Sequence, residues 1–290
     1  MKLLDGKELA SFIKERQAKQ ARGLRQALGV APRLCIISTV DHPAIATYVR
    51  MKQRYGADIL IDVEVHRVAQ SEVRALIAAK NADPAVHGII VQLPLENPAE
   101  TNEICDLVAP EKDVDALGVK AIYEPATPMA ILWLLAGYNV ELRGKNIVLV
   151  GRGKLVGAPL EKILSQSEHQ VTVVDSATSD IASVIQQADI LITATGSAGL
   201  ITSSMIKPHA VVVDAGVAGE QGKTVGDLAA DVRERIDLTI TPEKGGVGPL
   251  TICALFDNVI RAAQASAKTV RKQPRQICAM KSSQQTGFAL

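Results

Sequence analysis

Tyr48 and Lys52 stand four residues apart in a segment, Thr47 to about Tyr55, that reads as a helix, so the two side chains share one face. A lysine in a partly apolar cleft has its ammonium form disfavoured, which brings the amine towards acid–base use near neutral pH. A tyrosine beside it can hydrogen-bond the amine and offer a flat face to an aromatic substrate. The plainer alternative for the same spacing is an exposed lysine next to a half-buried tyrosine. About a hundred residues later comes a glycine-rich loop, Gly151-Arg-Gly-Lys-Leu-Val-Gly157. The two features together point to an acid–base pair in one domain facing a nicotinamide held by another.

A Tyr-x-x-x-Lys pair also occurs in short-chain dehydrogenases, but there the glycine loop opens the chain. The reversed order argues for a two-domain enzyme instead. Gly151, Arg152 and Gly153 follow an apolar strand and open a helix, with Val156 and Gly157 completing the loop. Glycines let the backbone turn tightly and approach a pyrophosphate, whose charge suits the free N–H groups of a helix start. The spacing is GxGxxxG rather than GxGxxG, so its place after a strand carries the reading. Thr195 and Gly196, just past a later strand, complete the candidate nucleotide set. Two signals compete over the cofactor. Arg152, with Ser176 as a hydroxyl donor, suits the 2′-phosphate of NADP. Asp175, at the end of the second strand, suits the ribose 2′-OH of NAD. Mutual neutralisation of Arg152 and Asp175 is a third possibility.

Gln92 closes a buried strand, Gly88 to Leu93, where parallel sheets place ligand-binding side chains, and Pro94 stops the ladder. Asp115 ends an acid-rich loop, Pro110-Glu-Lys-Asp-Val-Asp115, and reads either as a ligand carboxylate or as a solvated one. Gly245-Gly-Val-Gly-Pro249 precedes a helix with Thr251 near its start. Such a loop lets backbone approach a ligand closely, or is an ordinary turn.

These residues need a scaffold of alternating strands and helices, and the chain supplies one. A first helix spans about Gly6 to Leu28, with a capping-box-like Asp5/Glu8 start and Gly29 at its end. Leu34–Ile37 reads as a buried strand, Ile59 to Val68 as an alternating strand, and Glu72 to Lys80 and Pro98 to Val108 as helices. A helix from about Pro128 to Ala136 bridges to four short strands, at Ile147–Val150, Val171–Val174, Ile190–Ile192 and Val211–Val213. Helices near Val156–Leu164 and Ile181–Gln187 separate the first three, which is the spacing of a Rossmann-type unit. A helix from about Leu250 to Ala263 follows. The expected fold is α/β in two domains with a cleft between them. Residues 1–138 form a catalytic domain, completed by C-terminal helix 250–290, and 139–249 form a parallel-sheet dinucleotide-binding domain.

A net charge of +1 and an aromatic content of 3% give no reason to expect nucleic acid as a partner. No apolar run reaches the roughly 18 residues of a membrane span. The opening MKLLDGKELASF turns polar within five residues, unlike a secretory signal. Cys35, Cys105, Cys253 and Cys278 are widely spaced and read as free thiols in a reducing cytoplasm. No His/Cys/Asp cluster has metal-ligand spacing, so no metal is expected. Lys268, Arg271, Lys272, Arg275 and Lys281 make the C-terminal stretch basic. It reads as a solvated tail or as a contact for a polyanionic substrate tail or partner subunit.

Five motifs, in order, resemble the bifunctional methylenetetrahydrofolate dehydrogenase/methenyltetrahydrofolate cyclohydrolase family, the FolD type. They are Tyr48-Val-Arg-Met-Lys52, Val91-Gln-Leu-Pro-Leu95, Pro110 to Asp115, Gly151 to Pro159, and Gly245-Gly-Val-Gly-Pro-Leu-Thr251. The resemblance covers about Leu3 to Ala263. It implies oxidation of 5,10-methylenetetrahydrofolate with NADP, or NAD, then hydrolysis of the methenyl product to 10-formyltetrahydrofolate. It maps the family's catalytic lysine to Lys52, its hydrogen-bonding glutamine to Gln92, its stacking tyrosine to Tyr48 and its pterin-anchoring carboxylate to Asp115. Gly246, Pro249 and Thr251 fall at the family's substrate side. The resemblance also implies a homodimer. The chain departs from the family's usual residues at Ile45, Ala116, Ala126, Gly153, Asp175, Ala177 and Pro242-Glu-Lys. Because several departures sit in the nucleotide half, a cyclohydrolase-only enzyme and a non-catalytic folate or nucleotide sensor stand as alternatives.

Overall fold

The computed structural model describes residues 1–220 and 223–283, with side chains except at 44, 219, 220, 223, 224 and 269–283. In chain order the elements are β1 (Lys2–Leu3), α1 (Gly6–Leu28), β2 (Arg33–Ser38), α2 (Pro43–Asp58), β3 (Asp62–Arg67), α3 (Gln70–Ala82) and β4 (Gly88–Gln92). A 3-10 turn at Pro98–Glu100 leads into α4 (Thr101–Cys105), followed by α5 (Ala126–Gly137), β5 (Ile147–Val150), α6 (Gly157–Gln166), β6 (Val171–Val174), α7 (Ile181–Ile185) and β7 (Ile190–Thr193). Then come β8 (Val211–Asp214), β9 (Ala218–Glu220), β10 (Lys223–Val225), β11 (Thr239–Ile240) and α8 (Val247–Ser283). The chain forms two compact units. One is Met1–Lys14 with Glu124–Leu255; the other is Glu15–Tyr123 with the chain from Phe256 onward.

In the second unit three parallel strands lie in the order β3-β2-β4. Leu34 to Ile37 are fully buried, as expected of a central parallel strand covered on both faces. Val73 and Ile77 of α3 pack onto Cys35, Ile37, Ile89 and Val91. The edge strand β3 carries Asp62, Glu64, His66 and Arg67, polar side chains that blunt an open edge. From α8, the Phe256 ring lies 5.1 Å from that of Tyr55, and Asn258 Nδ2 donates to the Val114 carbonyl at 3.0 Å. Gly29, at φ +66°, lets α1 end with Val30 N–H reaching back to the Leu24 carbonyl at 3.1 Å.

The first unit is built on a six-stranded parallel sheet, β6-β5-β7-β8-β11-β1. Strand order reverses between β5 and β7, since β6 lies to one side of β5 and the sheet's remaining strands to the other. Such a switch point is where α/β sheets bind ligands, beyond the carboxyl ends of the strands. The register pairs Val150 with both Val174 and Thr193, so the ends of β5, β6 and β7 come level. At the start of α1, Asp5 Oδ1 accepts the Lys7 and Glu8 N–H groups at 2.8 and 3.2 Å.

The structure revises several expected elements. β1 and β11 pair with each other, drawing the chain's first residues into the six-stranded sheet. Two-residue strands carry no periodicity for a sequence reading to detect. The expected helix from Pro98 to Val108 is a 3-10 turn plus a short helix ending at Cys105. The helix expected over Leu250 to Ala263 runs from Val247 to Ser283. Of the basic C-terminal residues, Lys268 is exposed, while the side chains of Arg271, Lys272, Arg275 and Lys281 lie outside the described residues.

Candidate active site

Lys52 meets Gln92. Ile45 and Val49 are buried, and they fix the face that α2 turns to its unit. Lys52 is half-buried and Tyr48, one turn earlier, is 44% exposed. Gln92 is the last residue of β4. The Lys52 Nζ donates to Gln92 Oε1 at 2.8 Å, and Gln92 Nε2 donates to the Leu93 carbonyl at 3.1 Å. The second bond sets the amide's orientation and leaves its oxygen for the amine. The Leu93–Pro94 peptide is cis.

Lys112, Asp113 and Val114 each tie down the Pro110–Asp115 loop. Lys112 Nζ donates to the carbonyls of Lys80, Asn81 and Asp83 at 2.9, 2.8 and 2.7 Å, so its ammonium caps the C-terminus of α3. The Lys112 carbonyl accepts Ile89 N–H at 2.8 Å, tying the loop to β4. Buried Asp113 accepts Gly118 N–H at 2.8 Å, closing the turn. Val114 fills the core, against the space where a Cβ on Gly88 would be. Asp115 makes no hydrogen bond to a described side chain or N–H group, so its carboxylate, partly buried beside Lys52, has no structural duty. Ala116 follows at φ +57°, a left-handed conformation that costs an L-residue roughly 1–2 kcal/mol, which explains why glycine suits this position.

Burial pushes the Lys52 ammonium below the ordinary lysine value, and the Asp115 charge pulls it back up. Burial likewise raises the Asp115 carboxyl, and Lys52 lowers it. A desolvated amine and carboxylate that each moderate the other's proton affinity are suited to moving a proton.

The nucleotide residues lie in the other unit. Gly151 adopts φ +102°, and a Cβ there would lie 2.7 Å from the Ala194 carbonyl oxygen. A Cβ on Gly157, the first residue of α6, would lie 2.0 Å from the Gly151 carbonyl oxygen. Both glycines are therefore required by the turn. A Cβ on Gly153 meets nothing within 4 Å, so that departure from the family costs no fit. Val156 precedes α6 as its cap residue. Gly196, at φ +67°, and Thr195 follow β7. Ser176 is exposed after β6.

Mutual neutralisation of Arg152 and Asp175 is not what the structure contains. Arg152 is paired in a fork with Glu161 of α6, Nε to Oε2 at 3.0 Å and Nη2 to Oε1 at 2.9 Å. Asp175 Oδ1 accepts Ala177 N–H at 2.9 Å, closing a turn at the end of β6. Arg152 lies before α6 begins, so only the folded loop brings it onto Glu161. Gly246 immediately precedes α8 and Pro249 and Thr251 lie in its first turns, in the same unit as the nucleotide loop. Gly245 has φ +90°, and Thr251 Oγ1 approaches the Val247 carbonyl at 3.4 Å.

Other groupings escape a linear reading. Pairing of β2 with β3 brings Cys35, Glu64 and His66 together, with potential ligand atoms within 4.8 Å of one another. The Lys80 ammonium, 2.7 Å from Glu64, already supplies positive charge there, and burial pushes the Cys35 thiol up to about 12. Cys35, Cys105 and Cys253 are buried thiols outside any disulfide; Cys278 lies outside the described side chains. No helix among the described residues is long and apolar enough to cross a membrane.

Residues 4–115 match the family described as tetrahydrofolate dehydrogenase/cyclohydrolase, catalytic domain, and residues 125–267 match its NAD(P)-binding domain. The bifunctional protein FolD of an Exiguobacterium species is 39% identical over 275 residues, covering 90% of this chain and 98% of that protein. A crystal structure of the bifunctional FolD enzyme from Campylobacter jejuni superposes with TM-score 0.86 at 34% identity, over 91% of this chain and 99% of that one. The Trypanosoma brucei methylenetetrahydrofolate dehydrogenase-cyclohydrolase, solved with NADP cofactor and inhibitor, superposes with TM-score 0.85 at 30% identity, over 91% and 97%. With both domains matched along most of the chain, and with the lysine–glutamine pair and the glycine loop where the motifs lead, the chain belongs to the tetrahydrofolate dehydrogenase/cyclohydrolase family.

Proposed function

We propose that this chain oxidises 5,10-methylenetetrahydrofolate to 5,10-methenyltetrahydrofolate with NADP and hydrolyses the product to 10-formyltetrahydrofolate, serving one-carbon metabolism in the cytoplasm as a homodimer. The observation that carries the reading is the half-buried Lys52 amine, bonded to Gln92 at 2.8 Å and electrostatically coupled to Asp115. The unit with Lys52 is the catalytic domain and the unit with Gly151 the nucleotide domain.

Asp115 accepts hydrogen bonds from the N–H groups of the pterin edge, and the Tyr48 ring lies against the pterin face. Gly246, Pro249 and Thr251 complete the substrate side. Lys52, as the neutral amine, takes a proton from the water that attacks the methenyl carbon. It then returns that proton to N5 as the C–N5 bond breaks and the formyl C=O forms; the hydroxyl proton leaves to solvent. Gln92 holds the amine in place through both charge states. Hydrolysis of a carbon already carrying positive charge needs no metal.

The nucleotide loop fits a dinucleotide, because the positions of Gly151 and Gly157 exclude any side chain and bring bare backbone to a helix start. NADP, when bound, would supply the hydride acceptor for oxidation of the methylene carbon. Gly151, Arg152, Gly153, Val156 and Gly157 would hold its diphosphate, Asp175 and Ser176 its adenosine ribose, and Thr195 and Gly196 its nicotinamide half. The partners are tetrahydrofolate derivatives, with neither nucleic acid nor membrane.

The test is turnover of methylenetetrahydrofolate by purified protein with NADP and NAD side by side, with methenyl hydrolysis followed separately. Absence of both reactions overturns the proposal. Two further outcomes are expected. Asp175→Ser removes a like charge from the 2′-phosphate while keeping a turn-closing oxygen, and raises the NADP-to-NAD ratio of kcat/KM about tenfold. An unchanged ratio would place Asp175 outside cofactor choice. For hydrolysis, kcat rises with pH along a limb below 10.5, the ordinary lysine value. Asp115→Asn removes the charge that raises the Lys52 pKa, so the limb moves to lower pH although the rate falls. A limb that stays put or moves upward rejects neutral Lys52 as the base.

A further inference from the structure

We infer that Asp227 is a positioning residue for the nucleotide site, holding the backbone beyond β7 through its carboxylate. This rests on the nucleotide-binding reading above. Asp227 is 0% exposed. Its Oδ2 accepts Thr195 N–H at 2.8 Å and its Oδ1 accepts Ser197 N–H at 3.0 Å. Thr195 Oγ1 accepts the same Ser197 N–H at 3.1 Å, and Gly196 between them takes φ +67°. A buried carboxylate without N–H donors is costly, and loop N–H groups without an acceptor are costly too, so each enforces the other.

A second carboxylate holds the first in place. Asp214, at the end of β8, accepts Asp227 N–H and Gly216 N–H at 3.1 Å each on Oδ1. Its Oδ2 accepts Arg233 Nη2 at 3.1 Å and Leu228 N–H at 3.4 Å, and Thr193 Oγ1 approaches Oδ1 at 3.3 Å. Arg233 also donates to the Thr241 carbonyl. Two glycines make room for this arrangement. A Cβ on Gly216 would lie 2.1 Å from the Asp227 carboxylate carbon, and one on Gly226 would lie 2.0 Å from Asp214 Oδ2. Each acid fills the space that a glycine leaves open.

The loop so held leaves β7 at the switch point. Its Ala194 carbonyl is the group that a Cβ on Gly151 would strike at 2.7 Å, so a displaced Thr195 backbone disturbs the pyrophosphate turn as well. With two N–H groups already committed to Asp227, the loop is ordered before any nucleotide arrives, which lowers the cost of binding.

The test is Asp227→Asn in the full-length protein, an isosteric change that turns a donor towards one of the two N–H groups. The dissociation constant and KM for NADP rise about tenfold or more, while kcat for methenyl hydrolysis is unchanged. A folded variant with unaltered NADP affinity overturns the inference. If the variant does not fold, amide hydrogen exchange of the wild type decides. Without nucleotide, Thr195 and Ser197 exchange as slowly as the strands β5 and β7; exchange at the rate of exposed loop amides overturns the inference. Failure of the nucleotide-binding reading looks different, since the wild type would then bind neither NADP nor NAD.

Discussion

Lys52→Met lowers methenyl hydrolysis by between about a hundred- and ten-thousandfold, the range that general acid–base groups contribute. Methionine keeps the length of the side chain and removes its proton chemistry. It also leaves Gln92 Oε1 without the donor now at 2.8 Å. The measurement is single-turnover hydrolysis of methenyltetrahydrofolate, with folding checked by thermal unfolding. Stability should change little, because burial disfavours the ammonium that is removed. Substrate binding should persist, since Tyr48 and Asp115 are untouched. A variant that still hydrolyses at the wild-type rate would leave Lys52 with no catalytic part and pass the role to water. The double variant with Gln92→Ala sharpens the result. Residues that act as one unit lose less together than the sum of their separate losses.

Gly157→Ala produces the opposite pattern. Its Cβ would lie 2.0 Å from the Gly151 carbonyl oxygen, far inside contact distance, so the turn must shift by about an ångström. A shift of that size in a reacting geometry costs on the order of a hundredfold, so kcat/KM for NADP-dependent oxidation falls by about that factor. Methenyl hydrolysis, whose proton chemistry rests on Lys52, Gln92 and Asp115 in the other unit, keeps its rate. Steady-state kinetics of both reactions on one preparation checks this. Parallel loss of both would show that the loop serves the whole protein rather than the nucleotide. Gly153→Ala is the natural control, because a Cβ there meets nothing within 4 Å.

How much of this was legible beforehand follows from the range of each interaction. Ile147–Val150 and Val171–Val174 were readable to the residue, because short runs rich in β-branched residues stand between polar or glycine punctuation. α1 was equally readable, since Asp5 caps it and Gly29 ends it. Lys52, Gln92 and Asp115 were each singled out by local position, and the family motifs supplied their roles; their union was not derivable, because 40 residues separate the first two. The pairing of Arg152 with Glu161 was missed for a geometric reason: Arg152 lies before α6 begins, so helical spacing does not apply to it. Asp227 gave no signal at all. Its partners are N–H groups 30 and 32 residues away, and an aspartate serving backbone looks in sequence like any loop acid.

The discontinuous make-up of the two units has a consequence for biosynthesis. The unit that holds Lys52 takes Glu15–Tyr123 from early in the chain and Phe256 onward from much later. Until the ribosome has delivered Phe256 and Asn258, Tyr55 lacks its ring partner and the Val114 carbonyl its donor. The intervening segment can settle first, so the half of the protein made earliest reaches its final state last. A nascent chain stalled before residue 256 would expose an incomplete lobe to chaperones and proteases.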